Sequence, residues 1–365
     1  MANPPGATPL RLATVLVLAL APPLAAQSVS GRVVTAPGAV GVPGALVSLL
    51  DRAGATVAAA VTGADGAFDL TAPGPAAYRI LGEAPGLATA EAEMDLGATG
   101  AEVVLRTTPR ALDLPSSRVK ADGDCRIQEA DAARIVAAWN EAAKALAAAQ
   151  WMEQSGLMGL ESATWYREME PRRLRVTEES RTPRAGFHPT ARHPSPPAAV
   201  LARDGFVQGG GLGESLAFHG PDPATLLDPV FAATHCRGFE PKGPEEGWVG
   251  LTFAPRDGDA RDVEGTLWVD GTTGAPARLE FRYTSLPWPV KTDKVGGGLE
   301  MSRLAGGPWI VHRWWLRMPR VGLREERITQ WAEPTRRYTL TAVVEEGGEI
   351  TRVRLADGTI HEILP

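Results

Sequence analysis

Only two cysteines, Cys125 and Cys236, occur in the 365 residues. No multi-disulfide scaffold can be built from them, and no CxxC pair exists to hold zinc or run thiol exchange. The six histidines, His188, His193, His219, His235, His312 and His361, show neither HxxE nor HExxH spacing. That removes the metallopeptidase arrangement of two imidazoles and a carboxylate around an open zinc position. No G-x-S-x-G elbow is present; the nearest serine in a glycine context is Ser215 in GGGLGES, a run that also lacks the Lys and Ser/Thr of a phosphate loop. Excess positive charge is lacking too, with 37 Lys and Arg against 43 Asp and Glu and a net charge of -6. Such a balance gives no field for a phosphate backbone and excludes a nucleic-acid partner on electrostatic grounds. Past the N-terminus, no apolar run reaches the ~20 residues that a membrane-spanning helix needs.

The N-terminus itself, MANPPGATPLRLATVLVLALAPPLAAQ, places Arg11 before an apolar run from Leu12 to Ala21, then Pro22, Pro23 and small residues. This is the pattern of a secretory signal peptide over residues 1–26, with cleavage expected after Ala26 and Leu24 at the minus-three position. No cysteine follows the apolar run, so a lipoprotein anchor has no attachment point. Export to the periplasm, the outer-membrane surface or the medium is the expected outcome, and it sends both thiols to an oxidising space.

From Val29 to Thr107, short and partly alternating apolar runs are separated by PG, AGA, ADG, PGP and PG turn signals. Strands so short and so evenly spaced predict an antiparallel β-sandwich of about 80 residues. In TGADGAFDL, Thr62 to Leu70, Gly66 can take a conformation costly for other residues, Asp65 can bond the turn backbone, and Phe68 and Leu70 share one strand face. A calcium site would need more convergent oxygens than Asp65 and Asp69 supply. The order GRVV, VPGALVSLLD, TGADGAFDL and PAAYRILGEAPG resembles the carboxypeptidase regulatory-like domain, a transthyretin-like sandwich found in exported bacterial proteins. That resemblance implies a carbohydrate-binding-like fold over residues 27–108 and no catalytic residues of its own.

Residues 109–123 read as a linker. Beyond them, Ile135, Trp139, Ala142, Ala143 and Leu146 recur at helical spacing and predict one amphipathic helix of about 20 residues with Trp139 on the buried face. Arg181 to Val200 reads as loop, because its prolines exclude a regular helix or a central strand. After Gly247, runs such as WVGLTFAP, VEGTLWVD and PWIVHRWWLRMP alternate with GTTGAP, AGGP, EEGGE and ADG, which predicts a meander of seven or eight antiparallel strands. The fold expected for 124–365 is thus an antiparallel β domain carrying one long helix. The cysteine-led helix, ATHC, GTLWVDGTTGAPARLEFRY and GGPWIVHRWWLRMP resemble domains that follow regulatory-like domains in exported bacterial proteins. GTLWVD with its hairpin also resembles the curved half-barrel of lipoprotein carriers.

Ten tryptophans stand out against four tyrosines and eight phenylalanines. Trp309, Trp314 and Trp315 fall on predicted strands and Trp288 between prolines, and flat rings of this kind suit sugar rings or acyl chains. Because Trp314 and Trp315 are neighbours on a strand, they must face opposite sides. The expected function is binding or interaction without catalysis at the cell envelope, with carbohydrate, taken through the carbohydrate-binding-like sandwich, as one candidate ligand, no cofactor or metal, and no named protein partner. The alternative is a carrier that holds an apolar ligand in a curved sheet. Cys125 and Cys236 are expected to pair, since an even count in an oxidising space leaves pairing as the simplest outcome.

Overall fold

The computed structural model describes residues 27–97, 99–120, 125–209, 216–258, 261–286, 292–305, 307–326 and 335–363. The signal segment 1–26 and Trp288 lie outside the described residues.

The N-terminal strands build two facing sheets. β1 (Gln27–Thr35) pairs antiparallel with β4 (Ala67–Ala72) and parallel with β7 (Ala101–Thr107). The second sheet runs in the order β3 (Thr56–Val61), β2 (Leu46–Leu50), β5 (Ala77–Glu83), β6 (Ala90–Asp95). Alternation decides which residues meet between them: Val33, Val47, Leu49, Phe68, Ile80 and Leu105 are all buried, each side chain contributing about 1.5–3 kcal/mol of transfer free energy. In the TGADGAFDL turn Gly66 has φ 80°, and Asp65 accepts from the Ala67 N–H at 3.0 Å and pairs with Arg32 at 2.6 Å. The Ala67 N–H first, and Arg32 after it, hold the Asp65 carboxyl below its ordinary range. Its oxygens are occupied in shaping a turn.

α1 (Glu129–Ser155) is 27 residues long, longer than its apolar periodicity predicts, because the alanine-rich composition continues to favour helix through Gln150. Glu129 and Asp131 in the first turn suit the positive end of the helix, and Gly156 ends it in the left-handed conformation at φ 66°. Then come β8 (Gly159–Met169), β9 (Val176–His188), α2 (Ala198–Asp204), the short pair β10 (Val207–Gln208) and β11 (Ala217–Phe218), α3 (Pro223–Leu227) and α4 (Pro229–Thr234). The chain finishes with β12 (His235–Glu240), β13 (Trp248–Pro255), β14 (Val263–Asp270), β15 (Pro276–Tyr283), β16 (Gly296–Arg303), β17 (Trp309–Glu326), β18 (Thr335–Arg354) and β19 (Ile360–Glu362).

β13 to β18 form the meander expected after Gly247, β12 precedes it in the same sheet, and β8 and β9 extend it beyond β18, giving a ten-stranded sheet with β19 also on β18. The protein is mainly β, and no sheet among the described residues closes into a barrel. Two sequence expectations are corrected here. Part of the proline-bearing loop, Arg181 to His188, belongs to strand β9; β9 is the outermost strand of the sheet, the position in which a strand tolerates proline. EEGGE is not a turn: Gly347 and Gly348 lie in the middle of β18, paired on both sides.

α1 lies on one face of this sheet. Ile135, Trp139, Ala142 and Leu146 join Phe206, Phe231, Phe239, Leu251, Phe253, Leu267 and Leu279 in a single buried core. The same helix fastens the sandwich. Glu141, only 3% exposed, accepts from the Gly86 N–H at 3.2 Å and pairs with Lys144 at 2.8 Å, while Lys144 donates to Leu87 O at 2.5 Å. Trp151 packs against the sandwich core and also against a second cluster around Met152, Leu160 and Ile350.

Candidate functional site

On the face away from α1, the register aligns Gly238, Thr252, Thr266, Glu280, Gly298, Trp315, Gly347 and Trp165 in one row across eight strands. The tryptophans in this row lie against glycines. A Cβ on Gly347 would stand 2.5 Å from Trp165 Cε2, and one on Gly298 would stand 2.7 Å from Trp315 Cη2. On the α1 face the same device recurs, with Trp314 over Gly348, where a Cβ would stand 2.8 Å from Cε2. Only glycine leaves room for a large ring to lie flat on the adjacent strand.

Trp165 is buried between two cations, with Arg167 at 5.1 Å and Arg313 at 5.3 Å from its ring centroid. Its indole N–H donates to Glu345 at 3.1 Å, and the same carboxylate accepts from Arg167 at 3.1 Å and Arg317 at 2.8 Å. Three donors hold the buried charge of Glu345. Burial works against the Arg167 charge, but the hydrogen bonds it donates to Glu179 and Glu345 raise its pKa all the same. Neighbouring His312 is pushed below its ordinary value by burial, with Glu300 pulling it up and Arg313 pushing it down.

Toward β12 this face opens into a cleft of about 460 Å³, lined among others by Thr252, Thr266, Glu264, Glu280 and Arg282 and bounded by the segment Arg118–Lys120. Val119 pairs with Phe239 across the β12 edge, and Arg118 forms an ion pair with Glu240. Trp268 stands beside the cleft with its indole N–H on Glu280 at 3.0 Å. Hydroxyls, carboxylates and guanidiniums therefore converge on a floor whose neighbours are aromatic.

The residues singled out from sequence fall in different places. Trp314 and Trp315 lie on opposite faces of β17, Trp314 with the α1-side core together with Trp309. Trp315 alone of these three belongs to the row that runs into the cleft. Cys125 and Cys236 are joined by a disulfide, with Cα atoms 5.0 Å apart and a sequence separation of 111. His235 is a core residue, stacked on Phe231 at 3.9 Å with Nε2 3.2 Å from Asp262. Among the described residues no group of three His, Cys, Asp or Glu side chains could hold a metal. Sequence reasoning missed Trp165, Arg313, Glu345 and the cleft threonines. Thr252 and Thr266 could have been found as the polar partners in GLTFAP and EGTLWV, since alternation places them opposite the apolar face.

Residues 28–109 match the carboxypeptidase regulatory-like domain family. No curated protein matches the chain. Among solved structures, the Bacillus anthracis TIE protein aligns over 93% of this chain at 8% identity and a TM-score of 0.18. This chain spans 47% of that one's length, and a likeness so slight carries no argument. The chain thus begins with a carboxypeptidase regulatory-like domain, a non-catalytic module of transthyretin-like fold, followed by the ten-stranded sheet and its helix.

Proposed function

We propose that this chain is a non-catalytic, exported binding protein of the cell envelope, and that the sheet face opposite α1 takes a carbohydrate. The observation that carries this reading is the row of Thr252, Thr266, Glu280 and Trp315, which sets hydroxyls and a carboxylate beside an aromatic ring at the margin of a cleft of about 460 Å³. Sugars are held by that combination, with planar hydrogen-bonding groups around the rim of a ring and an aromatic surface under its apolar face. The regulatory-like sandwich acts as a fixed support, tied to the sheet through α1 by Glu141 and Lys144. Affinity electrophoresis of the purified chain in gels containing neutral glucans and acidic polysaccharides tests the reading. Retardation that is lost in Trp315→Leu and Thr266→Val supports it, and unretarded migration in every gel contradicts it. Incubation with a peptide library, with and without zinc, should give no cleavage.

A carrier of apolar ligands is the second reading, favoured by a groove of about 650 Å³ between the sandwich and the end of α1, lined in part by Trp151, Met152, Leu157, Pro308 and Leu355. Against it, the layer between α1 and the sheet is filled by side chains, and the hollow beside Trp314 and Ile310 holds only about 20 Å³. Native mass spectrometry separates the two readings, because a carrier retains lipid through purification.

A further inference from the structure

Along β17 the face away from α1 carries Arg313, Trp315 and Arg317 in alternation. Arg313 is held by stacking, 5.3 Å above the Trp165 ring, with its side chain 40% exposed. Its nearest carboxylate, Glu300, is 3.8 Å away. Among the described residues its guanidinium makes no hydrogen bond, and its buried Nε has no acceptor. Arg317 commits only Nε, to Glu345 at 2.8 Å, and its terminal nitrogens are without hydrogen bonds among the described residues.

Three ion pairs beside the strip are layered in one sense. Arg317 is 37% exposed over Glu345 at 5%, Arg181 48% over Glu349 at 18%, and Arg313 40% over Glu300 at 19%. In these three the carboxylates lie beneath and the guanidiniums lie toward solvent, whereas Arg167, 24% exposed, lies beneath Glu179 at 41%. A chain of net charge -6 thereby presents a positive strip on this one sheet face, its planar donors fixed in place and partly unused, which is the arrangement that recognises carboxylate or sulfate oxygens in pairs. Arg313 and Arg317 are four residues apart on one strand, about 14 Å at ~3.4 Å per residue, with Trp315 between them. Several linked sugar rings cover that span.

We propose that the Arg313–Trp315–Arg317 strip selects acidic polysaccharide, with the ring under a sugar and the two guanidiniums on acidic groups to either side; this rests on the carbohydrate reading above. Arg313 is the residue to change, because removing it breaks no hydrogen bond of the fold. The purified chain, Arg313→Gln and Arg313→Glu are compared for binding to polygalacturonate, dextran sulfate and neutral dextran, with near-UV circular dichroism and the melting temperature as checks on folding. The expected result is binding to at least one acidic polymer that weakens with salt, is at least tenfold weaker in Arg313→Gln, and is weaker again in Arg313→Glu, with no measurable binding to dextran. Undiminished acidic-polymer binding in both variants overturns the proposal. Binding to dextran alone also overturns it and leaves the carbohydrate reading standing, whereas no binding to any of the three removes both.

Discussion

Replacing Gly348 by alanine tests whether the tryptophan on the α1 face is part of the architecture. The added methyl would stand 2.8 Å from Trp314 Cε2 and 3.0 Å from Cη2, and only that side chain comes so close. Ordinary carbon contact begins near 3.5 Å, so the ring must tilt off β18. It cannot do so freely, because Trp314 also packs against the helix-side core and the cluster around Ile310 and Ile350. Overpacking of this kind costs about 1–3 kcal/mol. The stiffer unfolded chain of the alanine variant returns about 0.4–1 kcal/mol where the backbone tolerates it. A net loss of about 1–2 kcal/mol follows, which lowers the melting temperature by roughly 2–8 °C for a domain of this size. Urea unfolding followed by circular dichroism measures it, and the decisive comparison is the same substitution in a Trp314→Leu background. There the methyl has room and its cost should disappear, leaving a coupling energy of about 1–2 kcal/mol between the two positions. Equal cost in both backgrounds, or no cost in either, refutes the view that Gly348 exists to receive Trp314. Gly97→Ala, where an added Cβ meets nothing within 4 Å, is the neutral control.

Replacing both Cys125 and Cys236 by serine should lower stability by about 4–5 kcal/mol on chain-entropy grounds, given the 111-residue separation, and urea midpoints compared with the wild type measure it. Glu141→Gln leaves Lys144, 8% exposed, buried without its carboxylate; a loss of about 3 kcal/mol is expected, and limited proteolysis should then cut between the sandwich and the sheet domain faster than in the wild type. His219 and His312 are both pushed below 6.5 by burial, so the unfolded chain takes up protons before the folded one. Stability should therefore fall as pH drops from neutral through 6.5, and urea midpoints at about pH 7.5 and about pH 5.5 should differ less in the double variant His219→Gln, His312→Gln.

Local chemistry made part of this fold readable. The sandwich strands and their turns follow from alternation and from glycines such as Gly66, and the α1 core face follows from residues spaced three and four apart. Opposite faces for Trp314 and Trp315 follow from the strand period alone. What stayed hidden depends on neighbours distant in sequence. EEGGE has the composition of a hairpin turn, and nothing local reveals that rings from Trp165 and Trp314 occupy the space above its glycines. β8 and β9 lack a clean apolar alternation because β9 is exposed along almost all its length, so the hydrogen-bonded ladder holds it where a buried face would otherwise mark it. The candidate site was hidden for the same reason. Its row crosses eight strands, each contributing one residue, and Thr252 or Glu345 gains meaning only once the register is known. Glu345 in particular looks like a surface carboxylate in VVEEGG, yet its side chain is only 5% exposed.

The central claim is that the sheet face opposite α1 binds sugar, and indole proton–nitrogen spectra of tryptophan-labelled protein test it most directly. Titration with galacturonate oligomers and with neutral glucan oligomers should, for at least one of the two, shift the Trp315 resonance saturably and leave that of Trp139, buried under α1, in place. Shifts at Trp309 and Trp314 in its stead, or no shift at any indole with either, would contradict the account.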